Sequence, residues 1–174
     1  MEPGFTKALM IGATGMLGEA TDWVSAHAGQ VLLVARAAAV SPLAHRENVV
    51  PVAADWRDAE AFERAIAAAD GFHGVDLAVL WMHGTGAEAK RRVLARLASQ
   101  RCLVVDVLGS AVLKDLRQLE ARSEVLGPAA RRVTVVLGAM PTATGHRWLD
   151  WPEISRAVIA SIEEGRGRVV GERP

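Results

Sequence analysis

Lys7-Ala8-Leu9-Met10-Ile11-Gly12-Ala13-Thr14-Gly15-Met16-Leu17-Gly18 decides the fold of this chain. Lys7 to Ile11 reads as an apolar strand, and three glycines follow it at positions 12, 15 and 18. Met16 to His27 then reads as a helix. A strand, a glycine loop and a helix in that order are the physical needs of a phosphate cradle. Gly12 permits the tight turn, and Gly15 lets the backbone approach a pyrophosphate with no β-carbon in the way. Gly18 is expected to let the helix pack closely on the sheet. Amides at the helix start face an anion there, aided by the helix dipole.

The same alternation continues outward. Val31–Ala35, Val49–Ala53, Asp76–Trp81, Leu103–Leu108, Val133–Leu137 and Val169–Val170 are short apolar runs. Helical stretches are expected from Asp58 (as N-cap), over Glu88–Ser99, Ala111–Leu126 and Glu153–Glu163. Phe62, Ile66 and Ala69 share a face of the helix that Asp58 begins. Continuous apolar strands are buried on both faces, as in a parallel sheet. The pattern therefore predicts one doubly wound α/β domain over residues 1–174, Rossmann-like, with six to seven strands in the order 3-2-1-4-5-6-7. Residues 1–6 are expected to be a flexible N-terminus, and Gly138–Pro152 an irregular active-site or lid loop.

Composition narrows the class. The 174 residues carry 20 basic and 20 acidic side chains, a balance that argues against a nucleic-acid partner. No apolar run is long enough to span a bilayer, and Met1 to Thr6 lacks a signal-peptide layout, so a cytoplasmic location is expected. The single cysteine, Cys102, lies in the run Cys102-Leu103-Val104-Val105 and reads as a buried core residue. No Cys/His cluster has metal-ligand spacing. Tyrosine is absent.

The second strand bears on the cofactor. An acid at its end would bond the adenosine ribose and select NAD; this strand ends Val34-Ala35-Arg36. Arg36 is placed to pair with a 2′-phosphate, with Arg46 as a second candidate, so NADP(H) is expected over NAD(H).

These residues resemble the short-chain dehydrogenase/reductase superfamily. The loop is similar to the family's G-x-x-G-x-x-G variant, and Val31–Arg36 to its NADP-preferring second strand. The resemblance implies that the loop residues Gly12, Thr14, Gly15, Met16, Leu17 and Gly18 bind the cofactor. It also implies that Asp55 bonds the adenine amine and Trp56 flanks the ring. Trp81-Met82-His83-Gly84 sits where the family places a turn under the cofactor, and Leu108-Gly109-Ser110 where it carries a catalytic serine. The departure is the proton donor. The family's Tyr-x-x-x-Lys pair cannot exist here; Lys114 lies on the expected helix without a tyrosine.

Three other side chains are candidates for the catalytic role. Ser110 can polarise an acceptor or simply cap its helix. His83, with an imidazole that can give or take a proton, can serve as acid or bond a ribose. His146, with Arg147, can reach over the site from the long loop. Trp148 and Trp151 are expected to anchor that loop on the core. The leading expectation is an NADPH-dependent reductase of a small molecule such as an imine, ketone, quinone or flavin. The alternatives are a non-catalytic NADP(H) sensor or scaffold subunit, and a fold kept without the cofactor. Leu113, Leu116, Leu119 and Leu126 among charges suggest either core packing or a homodimer face.

Overall fold

The computed structural model describes residues 4–109 and 124–172. Seven parallel strands form the main sheet: β1 (Phe5–Ile11), β2 (Ala28–Ala35), β3 (Val49–Ala53), β4 (Leu77–Trp81), β5 (Leu103–Gly109), β7 (Arg131–Leu137) and β10 (Arg168–Val170). Across the sheet they run β3-β2-β1-β4-β5-β7-β10, the order expected from the sequence. A two-residue strand, β6 (Glu124–Val125), pairs antiparallel with the start of β7. It stands where the pattern predicts the last turn of a helix over Ala111–Leu126; the rest of that helix, with Ser110 and three of the four leucines of the candidate dimer face, lies outside the described residues.

The helices divide between the two faces. α1 (Gly18–His27) packs with α4 (Trp151–Glu164) on one, and α2 (Ala59–Ala68) with α3 (Ala87–Leu97) on the other. This explains why β1 is apolar without alternation. Ala8 and Met10 enter the core under α1 and α4, with Leu17, Val24 and Val158. Leu9 and Ile11 enter the core under α2 and α3, with Phe62, Ile66, Val93 and Leu97. Each such leucine or isoleucine taken fully from water contributes about 1.5–3 kcal/mol.

Local chemistry sets the helix ends. Asp58 Oδ1 accepts the Ala61 amide at 3.0 Å and starts α2. α4 opens on a reciprocal capping box: Glu153 N donates to Asp150 Oδ1 at 2.8 Å and Asp150 N to Glu153 Oε2 at 2.9 Å. It closes on Gly165, whose φ of 60° is left-handed. α1 has no side-chain cap at Leu17.

Two expectations about the chain's flexible parts are corrected. β1 begins at Phe5, so Phe5 and Thr6 belong to the sheet and not to a loose N-terminus. The stretch after β7 is not irregular: β8 (Ala139–Thr142) and β9 (Gly145–Trp148) form an antiparallel hairpin, with Ala139 opposite Trp148 and Thr142 opposite Gly145. No helix among the described residues is long and apolar enough to cross a membrane.

Candidate functional site

The chain leaves β1, builds outward through β2 and β3, and returns through α2 to β4 on the other side of β1. The crossovers therefore diverge between β1 and β4. In open α/β sheets the ligand crevice lies beyond the strand C-termini at that switch point. A cleft of about 360 Å³ occupies it, with Gly12, Thr14, Gly15 and Met16 on its floor. Arg36 and Trp56 line its β2–β3 side, Trp81 and His83 its β4 side, and Trp151 its rim. A polar hollow of about 420 Å³ between the C-terminal ends of α2 and α3, lined by Asp70, His73 and Arg96, does not touch the glycine loop.

The loop is held from both sides. Gly12 N donates to the Val34 carbonyl at 2.9 Å, and its φ of 71° is left-handed. Gly15 is exposed, and a β-carbon built on it would meet nothing within 4 Å. Gly18 N donates back to the Gly15 carbonyl at 2.8 Å, which closes the turn into α1. The packing reason expected for Gly18 is not seen, because a β-carbon there also meets open space. The Leu17 side chain is fully buried in the core, so only its backbone faces the loop. α2 and α4 are capped by Asp58 and Asp150, whereas no side chain caps α1, and the loop that leads into it forms the cleft floor. The donor set thus fits a phosphate.

Around this floor the aromatic side chains interlock. The His83 ring meets Trp81 edge-on at 5.0 Å and Trp56 at 5.9 Å. Trp56 Nε1 donates to Thr85 Oγ1 at 3.3 Å. Gly84 is exposed at the start of a short 3-10 turn and does not line the cleft. Arg36 is exposed at the end of β2 and forms no ion pair with another described residue, though its charge acts on the Asp55 carboxylate. Arg46 is taken: its guanidinium pairs with Asp22 on α1. Asp55 is also engaged. Arg57 donates Nε and Nη2 to its carboxylate at 2.6–3.1 Å, and its backbone amide adds a 3.0 Å bond. That bidentate grip holds the Asp55 carboxyl at about 2, well below its usual range. Asp55 points its charge at Arg57 and is not a wall of the cleft.

The hairpin corrects three expectations. His146 sits exposed on β9 opposite Pro141 and lines neither the cleft nor the cavity beside it. Arg147 does not reach over the cleft; it donates to both carboxylate oxygens of Glu153 at 2.9 and 2.7 Å. This bond, with the Asp150 backbone amide, pulls the Glu153 carboxyl down to about 2. Trp148 and Trp151 do not anchor the loop, since 68% and 63% of their surface is exposed. Leu149, between them, is the residue inserted into the core. The sequence carried no signal for Trp151 in the cleft rim, nor for the double duty of Trp81. Trp81 and Met16 also line a second, neighbouring cavity of about 420 Å³ under the hairpin, reached by Gly109 at the end of β5.

A doubly wound α/β domain with a glycine loop at its switch point is the class this geometry defines. No family model matches the sequence, and no curated protein matches it. Solved structures do match. A short-chain dehydrogenase from Burkholderia cenocepacia, in complex with NADP, is similar over 99% of this chain and 90% of its own, at 20% identity and a TM-score of 0.69. A short-chain dehydrogenase/reductase (glucose/ribitol dehydrogenase) from Brucella melitensis matches 98% of each chain at 17% identity and a TM-score of 0.66. A 3-oxoacyl-[acyl-carrier protein] reductase with bound NAD, also from Brucella melitensis, matches 98% of this chain and 92% of its own, at 15% identity and a TM-score of 0.60. The chain therefore has the Rossmann-type fold of the short-chain dehydrogenases/reductases.

Proposed function

We propose that this protein is an NADPH-dependent reductase that passes a hydride to a small-molecule acceptor without a tyrosine proton donor. The observation that carries the proposal is the cleft at the β1–β4 switch point, with exposed Gly15 on its floor and Arg36 at its β2 edge. Support also comes from the fold's solved neighbours, two of which hold NADP or NAD.

Bound in this cleft, the nicotinamide dinucleotide supplies the hydride. The chain's residues bind and orient. Amides of Thr14, Gly15 and Met16 and the start of α1 take the pyrophosphate. The Arg36 guanidinium takes the 2′-phosphate, where its planar fork fits better than an ammonium. Trp56 supplies an apolar flank for the adenine. His83 borders the nucleotide cleft and not the neighbouring cavity, a position that favours a ribose contact over proton donation to an acceptor. Gly109 brings the end of β5 to the second cavity; Ser110, the next residue, lies outside the described residues.

The absence of tyrosine favours a second reading, an NADP(H)-binding sensor or scaffold subunit without turnover. Calorimetry with NADPH and NADH, followed by NADPH oxidation across imines, ketones, quinones and flavins, separates the readings. Micromolar NADPH binding with turnover of one acceptor is expected. Binding without turnover on any acceptor gives the second reading, and no binding of either nucleotide overturns both.

A further inference from the structure

The cavity under the hairpin differs in kind from the nucleotide cleft. Its side-chain walls are Met16, Trp81, Leu137, Trp148, Leu149 and Ile154, and two glycines complete it. Among the described residues that line it, none carries a charge, a hydroxyl or a carboxamide, and the two indole N–H groups are the only side-chain hydrogen-bond donors. A charged or multiply hydroxylated ligand would lose its hydration there with no partner among the described side chains to replace it. An uncharged apolar ligand loses nothing of that kind and gains from the area removed from water. The volume of about 420 Å³ falls in the range of small-molecule sites.

The wall is also fixed in place. Arg147 Nη1 donates to the Trp148 carbonyl at 3.0 Å while both its terminal nitrogens bind Glu153 at the start of α4. Leu149 then plugs the chain into the core. The Trp148 backbone is thus tied on both sides, yet its indole stays 68% exposed beside the cavity. An exposed indole on a pinned backbone, lining an apolar hollow, offers an aromatic wall to a ligand. Met16 and Trp81 belong to both cavities, so a molecule held here abuts the nucleotide cleft.

We infer that the acceptor of this protein is an uncharged, largely apolar small molecule, bound between Trp148 and the strand ends. This deepens the reductase reading and rests on it for the word acceptor, while the binding site itself can be tested without any nucleotide.

The probe is N-phenyl-1-naphthylamine, uncharged and fluorescent in apolar surroundings, titrated into the full chain without nucleotide. Its anionic counterpart, 8-anilinonaphthalene-1-sulfonate, carries the same rings plus a sulfonate. Saturable binding of the uncharged probe at one site per chain is expected, with the sulfonate at least about tenfold weaker. Trp148→Ala, on an exposed side chain, is expected to weaken the uncharged probe about tenfold, and Trp148→Glu more. Equal affinity for both probes overturns the inference, as does binding unchanged in both variants. So does a concentration-dependent dimer that Trp148→Ala dissociates while the probe still binds, because the indole would then serve a second copy of the chain. NADPH binding is measured on the same samples. Probe binding without nucleotide binding sinks the reductase reading alone, and nucleotide binding without probe binding sinks this inference alone.

Discussion

The backbone carbonyl of Trp81 stands where a side chain on Gly12 would have to go: a β-carbon there falls deep inside contact distance of that oxygen. The first strand's turn and the end of β4 are therefore built against each other, and the left-handed φ of Gly12 adds a second reason for glycine. Gly15, three residues on, has neither constraint. The two glycines should consequently fail in opposite ways. Gly12→Ala is expected to destabilise the fold by about 2 kcal/mol or more, since both strain and a backbone clash must be relieved. Gly15→Ala is expected to change stability by less than about 0.5 kcal/mol. It should weaken NADPH about tenfold or more, because its methyl occupies the approach of the pyrophosphate. Urea unfolding and calorimetry on both variants check this; a Gly15→Ala protein that binds NADPH normally would remove the phosphate from that position.

On the proposed reading, Arg36 sets the preference for NADPH over NADH. Among the described residues it forms no ion pair, unlike Arg46, which pairs with Asp22, and Arg57, which grips Asp55. Arg36→Ala should weaken NADPH about tenfold, the value of one solvent-accessible charge-assisted contact, and NADH by less than about twofold. The NADPH loss should shrink as salt is added, since the pair is screened. Equal losses for the two nucleotides would place the arginine away from the 2′-phosphate.

The bond between Arg147 and Glu153 makes the hairpin's seat on α4 sensitive to acid. Glu153 is held at about 2 against an ordinary 4.5, first by Arg147 and then by the Asp150 amide. A carboxyl with a depressed value stabilises the fold above its unfolded value, and that contribution is lost as pH falls through the folded one. Glu153→Gln keeps an oxygen for the capping box and loses the ion pair. Its melting temperature should lie below that of the parent protein at pH 7, with the gap constant down to about 4.5 and closing toward about 2. Thermal melts of both proteins across that window measure it; a gap that is independent of pH would mean that the glutamate acts through packing alone.

The elements legible in the sequence are those whose signal is local and apolar. β1, the glycine loop and the order of the sheet follow from continuous runs such as Leu9-Met10-Ile11, which only a strand covered on both faces explains. α2 follows from Asp58 and from Phe62 and Ile66 one turn apart. The hairpin does not follow, because Pro141 to Trp148 are all exposed and so carry no alternation of apolar and polar residues. Arg147 and Asp55 are misplaced by sequence for a related reason. A charge's position on the chain says where it is, but its pairing with Glu153 or Arg57 decides whether it is available to a ligand. Trp148 and Trp151 mislead because aromatic area argues for burial in general, and only the insertion of Leu149 between them turns both indoles outward.

Cys102 illustrates a sequence reading with a chemical consequence. It lies in the core between the sheet and α2–α3, beside Val104 and Leu97. Burial, with a smaller contribution from Asp76, pushes its thiol up to about 12. At pH 8 the thiolate fraction is then about one in ten thousand, against about a quarter for a free cysteine. The single thiol should therefore resist Ellman's reagent in the folded protein and react within minutes in denaturing urea. Partial reaction under native conditions would report local opening of the α2–α3 face and not a reactive site, because the nucleophile has to be exposed before it can ionise. The two cases separate kinetically. A rate set by opening tracks urea steeply at low concentration, whereas a rate set by an ionised surface thiol rises with pH and ignores urea. The buried environment of Cys102 predicts the first behaviour.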